Sequence, residues 1–151
     1  MMAATLQSCP CCSGKPYTHC CQKYHKGILP ENALTLMRSR YSAYALGIAD
    51  YLIETTHPES PHFVTDKKQW LYQIRAFSKQ TDFEGLEILE TEYSDLEAFV
   101  VFVAHLSKDS ADLTFTERSR FLKQGQAWKY IDGKIAKGRL TASQIKNRIL
   151  G

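Results

Sequence analysis

Five cysteines fall between Cys9 and Cys21, and the rest of this 151-residue chain has none. A disulfide framework spreads its cysteines so as to staple distant loops. Thiols crowded into one or two turns suit a metal site instead, above all in a reducing compartment. The order is Cys9-Pro10-Cys11, eight residues, then Cys20-Cys21. Two ligands from one tight loop and two from a second satisfy the tetrahedron that zinc prefers, with metal–sulfur distances of about 2.3 Å. Pro10 stiffens the first loop and Gly14 permits the reversal after it, while Lys15, Lys23 and Lys26 offset the negative charge of four thiolates around a divalent ion. Cys9, Cys11, Cys20 and Cys21 are therefore expected to hold one structural Zn²⁺, its shell filled and closed to substrate water. His19 and His25 stand as alternative ligands. Cys12 is a fifth thiol that either competes for the metal or stays free. The plainer alternative is a set of ordinary buried or disulfide-linked cysteines.

Beyond the cysteines the composition is globular, with 44% hydrophobic and 23% charged residues. No stretch reaches the roughly 20 apolar residues of a membrane span. Met1 to Ser8 shows neither a basic nor an apolar signal region, so a cytoplasmic protein is expected. The net charge of +3 hides an asymmetry. Asp82 to Glu97 holds seven acids and no Lys or Arg, and Arg118 to Gly151 holds nine bases and one acid. Those bases are interleaved with core-type residues, which favours a solvated surface over a nucleic-acid interface.

Hydrophobic periodicity divides the chain at residues 1–30, 31–135 and 136–151: a cysteine module, a main domain and a basic C-terminal tail. Leu34, Met37, Tyr41, Tyr44 and Ile48 mark one face of a first helix that stops at Gly47. A short second helix follows from Asp50 to Thr56, and His57-Pro58 breaks it. A third is predicted over Asp66 to Lys79, capped by Thr65, with Trp70, Ile74 and Phe77 inward. After Thr81 the period falls to two. Strands are predicted at Phe83–Tyr93, Ala98–Leu106 (central, apolar on both faces), Leu113–Lys123 and Ala127–Asp132, with a turn at Gln124-Gly125-Gln126. Thr141-Ala142-Ser143-Gln144 has the form of a capping box, followed by Ile145 and Ile149 on one helical face. Helices followed by consecutive antiparallel strands give an α+β fold, a curved, cone-shaped sheet packed against the N-terminal helices.

Cys-Pro-Cys-x-Ser-Gly-Lys-x-Tyr-x-x-Cys-Cys resembles the SEC-C motif, which at the C-terminus of the SecA translocation motor binds zinc and contacts partner proteins. Here Leu36-Met37-Arg38-Ser39-Arg40-Tyr41-Ser42-Ala43-Tyr44 follows it. The combination resembles the bacterial YchJ-like family, over roughly residues 8–135. The resemblance implies a nuclear transport factor 2-like (cystatin-like) middle domain, and the family's name brings no established reaction. The motif ordinarily has Gly at the position of Cys12, where Gly tolerates a positive φ and Cys does so less readily.

Within the main domain, Arg38, Arg40, Tyr41, Tyr44, Glu117, Ser119 and Trp128 are the candidate pocket residues. Helical geometry allows only one of Arg38 and Arg40 to face the tyrosines; the other is solvated or faces the cysteine module. Glu117 alternates onto the face of Leu113, Phe115 and Phe121, where an acid is either ion-paired, the safer reading, or functional. His105 reads as a satisfied core residue. No nucleophile elbow, phosphate loop or carboxylate–histidine constellation is present, and His57 and His62 have no spacing with a known mechanism. Two functions compete: an adaptor that binds a protein partner through its zinc module, and a small-molecule binder or enzyme that uses the cone. A roomy interior with convergent polar groups favours the second; a cone filled by Tyr41, Phe102, Phe121 and Trp128 favours the first.

Overall fold

The computed structural model describes residues 7–150. Residues 1–6, on which much of the reading of the chain's start rests, lie outside the described residues. A 3₁₀ turn at Tyr17–His19 leads into the short helix α1 (Gln22–His25). Then come α2 (Ala33–Leu46), α3 (Ala49–Glu54) and α4 (Lys67–Gln80). The strands follow as β1 (Asp82–Tyr93), β2 (Glu97–Lys108), β3 (Ala111–Asp112), β4 (Phe115–Gln124) and β5 (Ala127–Lys137), and α5 (Ala142–Ile145) closes the order with a wider π-type turn through Leu150. The strands form one antiparallel sheet in the order β1-β2-β4-β5, with β3 paired to the end of β2. This is the expected α+β architecture.

Local chemistry sets the element ends. Asn32 caps α2, its side chain accepting from Thr35 N–H at 2.8 Å, and Gly47 ends the helix at φ 72°. Asp66, not Thr65, caps α4: its carboxylate accepts from Gln69 N–H, and the helix begins one residue later than predicted. A carboxylate at the N-cap also answers the positive end of the helix dipole, which a hydroxyl does less well. The third predicted strand starts late: Leu113 and Thr114 lie in no strand, β4 begins only at Phe115, and the unpredicted pair Ala111–Asp112 folds back on β2.

α2 is buried on nearly all sides. Its Met37 and Tyr41 join the main core against the inner face of the sheet, where Ala98, Val100, Phe102, Ala104 and Phe121 are also packed. Its Ser39 and Ser42 face the cysteine module and α3 instead. The sheet's outer face is covered as well. Leu140, Ile145 and Ile149 of the basic tail pack on Val101 and Ala136, and the Thr141–Gln144 capping box forms as read. Buried Thr116 anchors that tail by donating to Gly138 O and accepting from Leu140 N–H.

One irregularity positions the interior. In the β4–β5 ladder Arg120 faces Asp132 while Phe121 faces Tyr130, so Ile131 bulges out of register. A bulge resets the alternation of faces. Gly133 and Ile135 on one side of it, and Tyr130 and Trp128 on the other, therefore all lie on the inner face with Ser119, Glu117, Phe121 and Lys123 opposite. The end of α3 seals the β5 edge at the bulge: Tyr130 N–H donates to Thr55 O and His57 N–H to Tyr130 O.

Candidate metal centre and ligand cavity

The four Sγ atoms of Cys9, Cys11, Cys20 and Cys21 lie within 4.8 Å of one another. Cys11 Sγ is 3.6 Å from Cys20 Sγ, and Cys20 Sγ is 3.9 Å from Cys21 Sγ. The edge of a tetrahedron with metal–sulfur bonds of about 2.3 Å is roughly 3.8 Å, so the donor set fits a tetrathiolate metal ion. The first pair sits on a knuckle closed by Cys9 N–H to Lys15 O and Cys12 N–H to Cys9 O, and the second pair sits at the start of α1. The thiols influence one another strongly. Hydrogen bonds from Cys11 and Cys21 hold the Cys9 thiol well below the usual range, and Cys11 in turn pushes Cys21 up. One thiolate is thus favoured at its neighbours' expense, the state that a cation relieves.

Cys12 stands apart. It is exposed, takes φ 65° and lies outside the four-thiol group. His25 faces away from the thiols into a polar seam: its Nε2 bonds Ser39 O at 2.8 Å, its Nδ1 bonds Tyr17 OH at 2.7 Å, and its ring meets Tyr51 edge-on. Arg38 crosses the same seam and donates to Cys11 O at 2.7 Å, and Ser42 Oγ is 3.4 Å from Cys9 Sγ. Tyr24 of α1 is buried in the main core. The cysteine module is therefore docked on α2.

On the other side of α2 the cone holds a cavity of about 400 Å³. Arg40, Tyr41, Tyr44, Glu117 and Ser119 all line it. Arg38 and Trp128 do not: Arg38 serves the cysteine seam, and Trp128 is buried further along the core against Tyr93, with Lys123 over its ring. Phe77 forms part of the wall, packed on Tyr44 and Phe83.

Glu117 is 5% exposed. The ion pair read for it does not form. Its Oε2 accepts instead from Ser119 Oγ at 2.8 Å and Tyr130 OH at 2.9 Å. Burial pushes this carboxyl above its ordinary range, against the two hydroxyl donors and the positive fields of Arg40 and His62. Gly133 makes the placement possible, because a Cβ there would lie 2.1 Å from Glu117 Oε2. Arg40 turns elsewhere: its NH1 donates to Leu52 O, Thr55 Oγ1 and Thr56 Oγ1, and its guanidinium lies 4.8 Å from the Tyr130 ring centroid.

Sequence reasoning missed Tyr130 and His62, whose rings stack at the cavity. Tyr130 lies two residues beyond Trp128 on the same side of the bulge, so strand alternation from Trp128 was the available signal, and Gly133, a glycine inside a strand, marked the close approach of Glu117. His105, read as a core residue, lies on the outer face, 2.6 Å from Glu87 Oε2, with Arg139 bound bidentately to the same carboxylate. Hydrogen bonds from Arg139 and then His105 hold Glu87 down to about 2.

A cystatin-like α+β cone joined to a four-thiol knuckle defines a two-part class: a nuclear transport factor 2-like domain carrying a SEC-C type cysteine module. The chain belongs to the YchJ-like family: the family described as "YchJ, middle NTF2-like domain" matches residues 32–133. A UPF0225 protein of Vibrio vulnificus is 41% identical over 132 residues, covering 83% of this chain and 74% of its own. A UPF0225 protein of Pectobacterium carotovorum is 40% identical over 134 residues, 84% of this chain and 83% of the relative. A SEC-C motif containing protein from Rhodopseudomonas palustris, solved in solution, superposes with a TM-score of 0.71 at 32% identity, covering 83% of this chain and 96% of that one. A protein with a cystatin-like fold from Caulobacter vibrioides, 12% identical with a TM-score of 0.52, covers 76% of this chain and 91% of its own and shares the fold alone. Among the described residues no helix is long and apolar enough to cross a membrane.

Proposed function

We propose that this protein binds a small molecule in the cone of its main domain, and that a structural Zn²⁺ held by Cys9, Cys11, Cys20 and Cys21 braces the wall from behind. The observation that carries the reading is the buried Glu117, held by two hydroxyls and facing a cavity of about 400 Å³. A packed core has no use for such a group, whereas a binding site needs a few placed polar atoms in an apolar hollow. Zinc is the choice of metal because four thiolates in a closed tetrahedron suit it and leave no open position for chemistry. A cytoplasmic setting goes with the reading, since a reducing compartment keeps the thiols available.

The test is a fragment screen by NMR on metal-loaded protein, repeated with Ala104→Leu, which projects extra methyl groups into the cavity. Fragments that shift resonances of Tyr44, Glu117 and Tyr130 and are lost in the variant support the reading. A screen with no binder at millimolar concentration contradicts it.

A second reading, an adaptor that meets a protein partner through the zinc module, has its own support. Ile28 and Leu29, directly after α1, are 58% and 54% exposed beside Lys23 and Lys26. A small apolar step that follows two lysines in the chain suits a partner surface with an apolar centre and some acidic groups. Capture of one defined partner from lysate, lost with Ile28→Ser/Leu29→Ser while the metal is retained, would favour this reading.

A further inference from the structure

The cavity's charge is unbalanced. Arg40 is 9% exposed, and its three bonds all go to uncharged oxygens: one carbonyl and two threonine hydroxyls. Among the described residues no carboxylate lies within ion-pairing distance of it. A buried cation without a counter-charge is costly, and those bonds use only NH1 of a group with five N–H donors. The one acid on the cavity wall, Glu117, keeps its Oε2 occupied by Ser119 and Tyr130. Its proton, when present, is therefore carried on the other oxygen. A neutral Glu117 offers one O–H donor and leaves the cavity with the net positive charge of Arg40. The remaining wall is largely aromatic, from Tyr41, Tyr44, Phe102 and Phe115.

We propose that the cavity takes a small hydrophobic carboxylic acid as its anion, the carboxylate held between the Arg40 guanidinium and the Glu117 carboxyl and the apolar body among the aromatic rings. This rests on the cavity reading above and assigns it a ligand class. The arrangement supplies Arg40 with its counter-charge and requires Glu117 to be protonated in the complex. Binding of the anion therefore takes up a proton. Affinity rises as pH falls toward the usual carboxylate range and levels off once Glu117 is already neutral in the free protein. The groups acting on Glu117 are Arg40 from α2, His62 from the α3–α4 loop, Ser119 from β4 and Tyr130 from β5, with Tyr44 of α2 near Tyr130. Of these His62 is the other pH-sensitive side chain type acting on the carboxyl, so the test must isolate Glu117.

Calorimetry on metal-loaded protein with 2-naphthoate, 2-naphthamide and 2-naphthylmethylammonium tests the assignment. The carboxylate should bind at least tenfold more tightly than the amide, the ammonium should bind weakest, and the carboxylate's affinity should rise severalfold from pH 8 to pH 6. Glu117→Gln keeps a donor toward the ligand but cannot titrate, so it should retain binding and lose most of the pH dependence; a slope that survives there overturns the role of Glu117. Arg40→Gln should abolish the preference for the carboxylate. Arg40→Lys, which keeps the charge where Arg40→Gln fails to fold, should retain part of it. A preference for the amide or the ammonium overturns the proposal and leaves the cavity reading standing. Failure of all three probes overturns the proposal, and exclusion of naphthalene as well overturns the cavity reading with it.

Discussion

At the scale of single residues, the pair Glu117 and Gly133 decides what the interior can be. Gly133 leaves the space into which the Glu117 carboxyl leans, so Gly133→Ala must push that carboxyl or the strand aside. We expect a loss of about 1–3 kcal/mol in chemical denaturation, together with shifted Tyr130 and Ser119 resonances. Glu117→Gln should behave in the opposite way. The folded-state value of Glu117 lies above the ordinary one, so its contribution to stability is full below the usual carboxylate range and is lost as pH rises through the raised value. Removing the ionisation should leave stability at neutral pH unchanged or improved and should flatten its decline on the alkaline side, read from denaturation midpoints across pH. A large loss at neutral pH would instead indicate half of a buried ion pair. Cys12 carries a different strain, a β-carbon at φ 65°. Cys12→Gly should stabilise the metal-loaded module by roughly 1 kcal/mol without changing metal stoichiometry, as seen by metal analysis and thermal melts.

At the scale of elements, the tail adds a second packed layer. Ile149 is 1% exposed on the outer face of the sheet, and Ile149→Ala should cost about 2–5 kcal/mol if the tail is integral to the domain. Denaturation of the variant and of the parent side by side gives the answer. How far the elements could be read beforehand depended on how local their causes were. The stripe from Leu34 to Tyr44, the Gly47 stop and the capping box at Thr141 are set by neighbours three or four residues away, and these formed as read. So did the face of Phe115, Glu117 and Phe121, because β4 keeps strict alternation up to the bulge. Strand β5 did not yield to the same reasoning. Its reset at Ile131 comes from the seal that Thr55 and His57 make across the edge, a contact between residues more than seventy positions apart. That reset hid the return of Gly133 and Ile135 to the inner face; Tyr130 shares the parity of Trp128 before the reset, so alternation alone would have placed the two together. That one of Arg38 and Arg40 could face the cysteine module was legible, but which one, and the part of Ser42, were not, since helical spacing says which face a residue occupies but not what will cover it.

At the scale of the whole molecule, the cysteine module and the cone share one helix. With the proposed ion in place, its removal should strip hydrogen-exchange protection from residues 9–26 first, since the metal would stand in for a core there. It should then weaken α2, through the loss of the Arg38, His25 and Ser42 contacts, and leave the central ladder of β2 and β4 protected. Exchange read by mass spectrometry with and without a chelator distinguishes this from an independent module, which would leave α2 untouched, and from a single cooperative unit, which would expose the ladder too. Arg38 and Arg40 stand two positions apart on α2, one bonded to the cysteine knuckle and the other lining the cavity. Linkage is reciprocal: to the extent that a metal ion sharpens the set of conformations open to α2, an occupant of the cavity meets a helix already in place, and the occupant secures the metal by the same factor. The two sites are then one thermodynamic device, and the affinity measured at either carries the state of the other within it.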